Sequence, residues 1–307
     1  MNNPMTLRVP QFLKRRFSRR HLPLLLVAPC VAWLLIFFIL PILQLLRQSW
    51  SRPLTRFGLE TSLIASPENY SDAISLAAPL FLRSVSIAGL ATAIGLLIGF
   101  PLAWWIVRRG GRWKPLLTGL VVTPFFFSYL VRTIAWTTLL ADSGPLMQII
   151  RFLSLGHFLS SMGFLQDGRL LNTTTALITG LTYNYLPFLV LPIIASLGTI
   201  DPTLLEAAAN LGAKTPRIFI KVVFPLALPG LISGSLLTFI PAMGDVVNSQ
   251  YLGGVNDRMI GNLIADLVLI QQRFSTAAAI SMLLLLMIGL SLLIYSRKYG
   301  KTGLGGA

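Results

Sequence analysis

The chain is poor in the side chains that most active sites use. Its 307 residues include one cysteine, Cys30, which lies inside an apolar run. A disulfide framework and a cysteine metal site are therefore excluded. The two histidines, His21 and His157, lie far apart and on opposite sides of the arrangement deduced below, so they make no metal pair. No G-x-x-x-x-G-K-S/T phosphate loop is present, which leaves nucleotide hydrolysis without a seat on this chain. Charge is scarce as well, at 11% of residues, while 54% are hydrophobic. With a mean hydropathy of +0.74, a soluble core of this size would expose patches that aggregate.

What is abundant is apolar sequence in long runs. A helix needs about 20 such residues to cross roughly 30 Å of hydrocarbon. Spans are expected near 22–46, 84–107, 115–140, 173–197, 222–243 and 276–296, which gives an all-α polytopic bundle of six helices. The runs are too long and too uniformly apolar for barrel strands. Leu22–Leu46 exceeds a signal h-region and lacks an A-x-A cleavage site, so Ser18-Arg19-Arg20 reads as a basic start-transfer anchor and the first helix is retained. The longer loops fall near 47–83, where a short surface helix is expected, and near 141–172 and 244–275. No soluble domain and no inverted internal repeat is evident, and the latter disfavours a secondary transporter built from two halves.

The net charge of +15 is distributed as in a membrane protein, not as in a nucleic-acid binder. Basic residues crowd the segment 1–21, the turn after the second span (Arg108, Arg109, Arg112, Lys114), the loop after the fourth (Lys214, Arg217, Lys221) and the tail 297–307 (Arg297, Lys298, Lys301). Only Asp201 and Glu206 oppose them on that side. By the positive-inside rule both termini are cytoplasmic.

The loop 198–221 within the membrane domain 22–296 carries the most specific pattern. Asp201-Pro202-Thr203 reads as an N-cap with proline at the first helical position. Leu204 to Asn210 are good helix formers, and Gly212 ends the helix. Glu206, Ala207, Ala208, Leu211 and Gly212 present a short helix with a small flat face, followed by Val222-Val223-Phe224-Pro225. This E-A-A-x-x-x-G spacing resembles the loop by which permeases of ABC importers grip their ATPase.

Further stretches make the resemblance specific. Pro124-Phe125 with Leu130-Val131-Arg132-Thr133-Ile134-Ala135-Trp136, Tyr183-Asn184-Tyr185-Leu186-Pro187-Phe188, Ile240-Pro241-Ala242-Met243-Gly244-Asp245 with Leu252-Gly253-Gly254, and Met259-Ile260-Gly261-Asn262-Leu263-Ile264 are similar to spermidine/putrescine permeases. The type I importer permease fold is implied, with polyamine import across a bacterial inner membrane. So are a cytoplasmic ATPase dimer that pushes the helix at 203–210, a second permease subunit as a heterodimeric paralogue, and a binding protein outside. The chain itself would be no enzyme and need no cofactor, metal or nucleic acid. Related permeases carry opines or other small amines. An autonomous transporter or channel would leave the Glu206 loop unexplained.

Candidate pathway residues follow from charge and aromaticity. Trp136, Tyr183, Asn184, Tyr185 and Asp245 suit a cationic amine, since ring faces attract ammonium and a carboxylate supplies the counter-charge. Trp and Tyr also mark membrane interfaces. Arg132 is a costly charge within a span; it either snorkels or pairs with Asp245 or Asp266 to brace a gate. Asp245, Asp257 and Asp266 either attract cations or solvate a loop. Pro187 and Pro241 kink helices beside polar residues, as expected of a cavity that opens alternately.

Overall fold

The computed structural model describes residues 22–53, 61–62 and 66–303. The expectations for the basic segment 1–21 and the end of the tail fall outside the described residues. Helix α1 (Leu22–Ser49) leads to a two-residue ladder of β1 (Arg52–Pro53) and β2 (Thr61–Ser62), then to α2 (Glu68–Arg109). Next come α3 (Lys114–Val122), α4 (Tyr129–Leu140) and the short α5 (Pro145–Phe152) and α6 (Gly156–Ser161). Helix α7 (Thr174–Gly198) precedes α8 (Pro202–Asn210) and α9 (Thr215–Ile218), which feed α10 (Phe224–Met243). The chain ends through α11 (Val247–Tyr251), α12 (Ile260–Leu269) and α13 (Phe274–Gly303). Among the described residues five helical runs are long and apolar enough to cross a membrane, and a sixth is counted if the bent α3–α4 run is one span.

Three expectations need correction. The loop 47–83 is not a loop with a surface helix: from Glu68 the chain already belongs to α2, whose 42 residues reach about 63 Å at 1.5 Å per residue. Its first turns are held because Ala73 and Ala77 are buried against Ile260, Leu267, Ala277 and Ile280 of α12 and α13. The third span is not one helix: residues 111–126 and 129–152 meet at 92°. Pro124 cannot donate to the carbonyl one turn back. The chain tightens into a 3-10 turn over Thr123–Phe126 and then extends at Phe127, with φ −99° and ψ 142°.

The fifth span begins earlier than 222 and is interrupted by a π-turn at Phe219–Val223. Pro225 explains it. Its ring crowds the Lys221 carbonyl and it has no N–H to give, so the ladder slips by one and Phe224 N–H bonds Phe219 O.

Helix α7 is the axis of the bundle. Of its apolar window 61% is buried, against 0% for α1, whose Trp33, Phe37 and Phe38 remain exposed. Leu189, Val190, Ile193 and Leu197 of α7 pack with Ala103 and Ile106 of α2 and Ala227 and Leu231 of α10. The α7–α10 approach is so close that a Cβ at Gly234 would lie 2.7 Å from Leu189 O, and one at Gly230 2.6 Å from Pro192 O. Small residues let membrane helices pack by backbone contact where lipid gives no hydrophobic drive.

Candidate functional site

Two places hold the residues singled out above. One is α8, at the end of the bundle where α7 finishes. Asp201 caps it by accepting from Thr203 N–H at 2.9 Å, with Pro202 at the first position. That bond holds the exposed Asp201 carboxyl below its ordinary range. At the other end Gly212 has φ +79° and donates to Ala209 O, while Ala213 N–H reaches Ala208 O. Leu205 packs on the main core cluster and anchors the helix. The opposite face is free: Glu206 and Ala207 are exposed and Leu211 is 88% exposed, while Ala208 lies on the Leu205 side and is half-buried. Among the described residues Glu206 forms no ion pair.

The second place is a buried polar cluster where α4, α7 and the α10–α11 corner meet. Asp245 is 6% exposed and sits in this corner. Tyr185 of α7 donates to its Oδ2 at 2.9 Å, Tyr129 of α4 donates to the same oxygen, and Asn248 N–H donates to Oδ1 at 2.6 Å. Asn248, fully buried, extends the network: its Oδ1 accepts from Asn184 Nδ2 at 3.0 Å and from Thr133 Oγ1 at 3.2 Å. Asn184 Oδ1 is buried with no partner. Helix α11 comes this close because α7 offers Gly180, where a Cβ would meet Leu252 Cδ1 at 2.2 Å and Asn248 Oδ1 at 3.1 Å.

The structure therefore brings Asn184, Tyr185 and Asp245 together and leaves Trp136 and Tyr183 apart from them. Those two form their own edge-on pair, ring centroids 5.4 Å apart. Tyr183 instead lines an apolar cavity of about 330 Å³ with Leu102, Trp105, Leu117 and Pro187. Two residues along a helix turn the side chain by about 200°, so Tyr183 and Tyr185 cannot share a face. Among the described residues Arg132 has no acid partner: Asp245 is engaged by the tyrosines and Asn248, and Asp266 pairs with Arg258. The Arg132 guanidinium lies instead over the rings of Tyr129 and Phe125. Nor do Asp245, Asp257 and Asp266 act alike. Asp257 is a buried clamp that accepts from Thr174 Oγ1 and from Gly254 N–H at 2.9 Å, so neither it nor Asp245 solvates a loop.

Tyr129, Thr133 and Asn248 belong to the cluster and were missed. The available signal was Tyr129 and Thr133 at i, i+4 on an apolar helix, the spacing that puts two polar groups on one face.

Residues 91–297 match the model of the family described as binding-protein-dependent transport system inner membrane component. The chain belongs to this family. It is 37% identical over 276 residues to the spermidine/putrescine transport system permease protein PotB of Haemophilus influenzae, covering 88% of this chain and 92% of that one. Identity to PotB of Escherichia coli is 34%, covering 89% and 96%. The inner membrane ABC transporter permease protein YdcU of Escherichia coli is 32% identical, covering 76% and 72%. A bacterial alginate ABC transporter in complex with an alginate pentasaccharide-bound periplasmic protein contains a chain of the same fold, with TM-score 0.65 at 17% identity, covering 95% of this chain and 100% of that one. The chain is thus a multi-pass inner-membrane ABC permease with the importer fold. The resemblance carried by the E-A-A loop and the four membrane motifs holds.

Proposed function

We propose that this chain is the translocation subunit of an ATP-driven importer of polyamines of the spermidine and putrescine class. The observation that carries the reading is the 37% identity, over 88% of the chain, to a spermidine/putrescine permease. The buried cluster supports it physically. Asp245 offers a carboxylate that accepts from two ring hydroxyls, and Asn184, linked to it through Asn248, has a spare buried acceptor in Oδ1. An entering ammonium has three donors and no acceptor, so it complements such a surplus.

In this reading residues 22–296 form the permease domain and the loop 198–221 couples it to a separate ATPase pair. Helix α8 and its end, with Glu206, Ala207, Ala208, Leu211 and Gly212, dock on that ATPase. A second permease completes the pathway, and a periplasmic binding protein delivers the amine. The excess of basic residues around α8 and in the segment 1–21 supports cytoplasmic placement of both termini.

The test is uptake of labelled spermidine by cells that lack other polyamine importers and express this permease with its partner subunits. Saturable uptake that stops when the ATPase is inactivated is expected. Uptake of a different amine or an amino-acid-like solute, with none of spermidine or putrescine, refutes the substrate assignment.

A further inference from the structure

Four aromatic rings form a near-closed circuit beside Asp245. Phe125 packs on Phe188 with centroids 4.6 Å apart, Phe188 lies 6.2 Å from Tyr185, and Tyr185 lies 6.1 Å from Tyr129. The remaining side is bridged by Arg132. Its guanidinium carbon is 5.5 Å from the centre of the Tyr129 ring and 5.9 Å from that of Phe125. Nε and Nη1 are buried and make no hydrogen bond. No acid pairs with it among the described residues. A guanidinium within a span without a carboxylate is costly, and ring faces are the compensation this site gives it.

Ring faces around a cation, with a carboxylate at one end, are also the chemistry that recognises an ammonium ligand. We propose that Arg132 is the resident cation of an amine cage built by Phe125, Tyr129, Tyr185 and Phe188. It fills the cationic position while the pathway is empty and yields it when an amine of the cargo arrives. The inference rests on the amine-import reading of the same site and adds to it the residue that holds the empty pathway shut. The reason is mechanical. Phe125, Tyr129 and Arg132 lie on the bent span, while Tyr185 and Phe188 lie on α7, the axis of the bundle. The cation itself touches only the two rings of the bent span, Phe125 before the break and Tyr129 after it, and those two rings are the ones that pack on Phe188 and Tyr185 of α7. Taking it away without replacement frees Phe125 and Tyr129 on the bent span and so loosens the ring contacts they make across the seam to α7.

The experiment uses the whole complex, permeases and ATPase pair, in proteoliposomes with no amine cargo. Arg132→Ala should raise basal ATP hydrolysis about fivefold, the ratio that matches one cation–π contact of a side chain that is only half-buried. Arg132→Lys, which keeps the charge and loses the planar stack, should fall between the parent and Arg132→Ala. Free guanidinium ion should return Arg132→Ala toward the parent rate, and urea, with nearly the same shape and no charge, should not. In Arg132→Ala with Phe125→Leu the guanidinium rescue should disappear. A parent-like basal rate in Arg132→Ala overturns the proposal, and so does equal rescue by urea. Failure of Arg132→Ala to assemble even when purified in guanidinium ion also overturns it, because the arginine is then a folding residue. This readout needs no cargo, so a parent complex that does not import spermidine would remove the substrate assignment alone.

Discussion

Tyr185 Oη donates to Asp245 Oδ2 at 2.9 Å, joining the middle of α7 to the corner that follows α10. The bond spans 60 residues of sequence and places a carboxylate at the seam between two bundle helices. Hydrogen bonds to charged groups contribute about 1.5–3 kcal/mol each. Asp245→Asn keeps the shape and removes the charge. Spermidine uptake should fall about tenfold, the ratio of one such interaction, while the complex still assembles and hydrolyses ATP. Tyr185→Phe should reduce uptake less, since Tyr129 still donates to the same oxygen. Parent-rate transport by Asp245→Asn across substrate concentrations would reduce Asp245 to a brace of the corner.

Gly212 ends α8 at φ +79°, and the space around its would-be Cβ is open. The backbone conformation alone then decides what a substitution does. An L-residue there costs about 1–2 kcal/mol, and Asn tolerates it better than Asp with its added charge. Gly212→Asp and Glu206→Lys should insert into the membrane normally and lose co-purification with the ATPase, with Gly212→Asn intermediate. Normal ATPase recovery together with normal uptake in both strong variants would refute the docking role of α8.

The parts that were legible in the sequence are those set by local chemistry. Asp201, Pro202 and Gly212 each act within a few residues, so the bounds of α8 could be read directly. Apolar run length likewise reported the spans at α1, α7, α10 and α13. Hydropathy does not see backbone direction, however, and Pro124-Phe125-Phe126-Phe127 is apolar throughout, so the 92° break stayed hidden. Glu68, Asp72 and Arg83 made the start of α2 look like a loop, because the burial of Ala73 and Ala77 depends on α12 and α13 nearly 200 residues away. Asn248 was invisible for the same reason: its partners Tyr129, Thr133 and Asn184 are distant in sequence.

Gly234 faces the α7 backbone, with Leu189 O 2.7 Å and Leu189 Cα 3.3 Å from an added Cβ. Neither atom is the end of a flexible chain, so the helices themselves must separate. Overpacking of this kind costs about 1–3 kcal/mol. Gly234→Ala should lower the thermal midpoint of the detergent-solubilised permease, and Gly234→Leu should abolish its accumulation. Gly119→Ala, inside α3 with nothing within 4 Å of an added Cβ, is the control and should not lower the midpoint, since alanine is the better helix former. A midpoint equal to the parent's in Gly234→Ala would show that α7 and α10 do not pack as closely as described.

The cap at Asp201 gives a pH dependence whose sign can be worked out. Its carboxyl is held below the ordinary range because the charged form accepts the Thr203 N–H at 2.9 Å. A group whose folded value is depressed contributes stability that is fully present above its unfolded value. That stability is lost as pH falls through the depressed one. Local order in α8 should therefore be constant across neutral pH and decline only in acid, below the ordinary carboxylate range. Hydrogen exchange of the first amides of α8 measures this, since Thr203 N–H is the group protected. Asp201→Asn should preserve protection and make it insensitive to acid, because an amide oxygen caps without titrating. Asp201→Ala should lose protection at every pH and weaken ATPase recovery with it. The decisive comparison is between these two variants. If Asp201→Ala exchanges as slowly as Asp201→Asn at neutral pH, Leu205 alone holds α8 in place and the cap is dispensable.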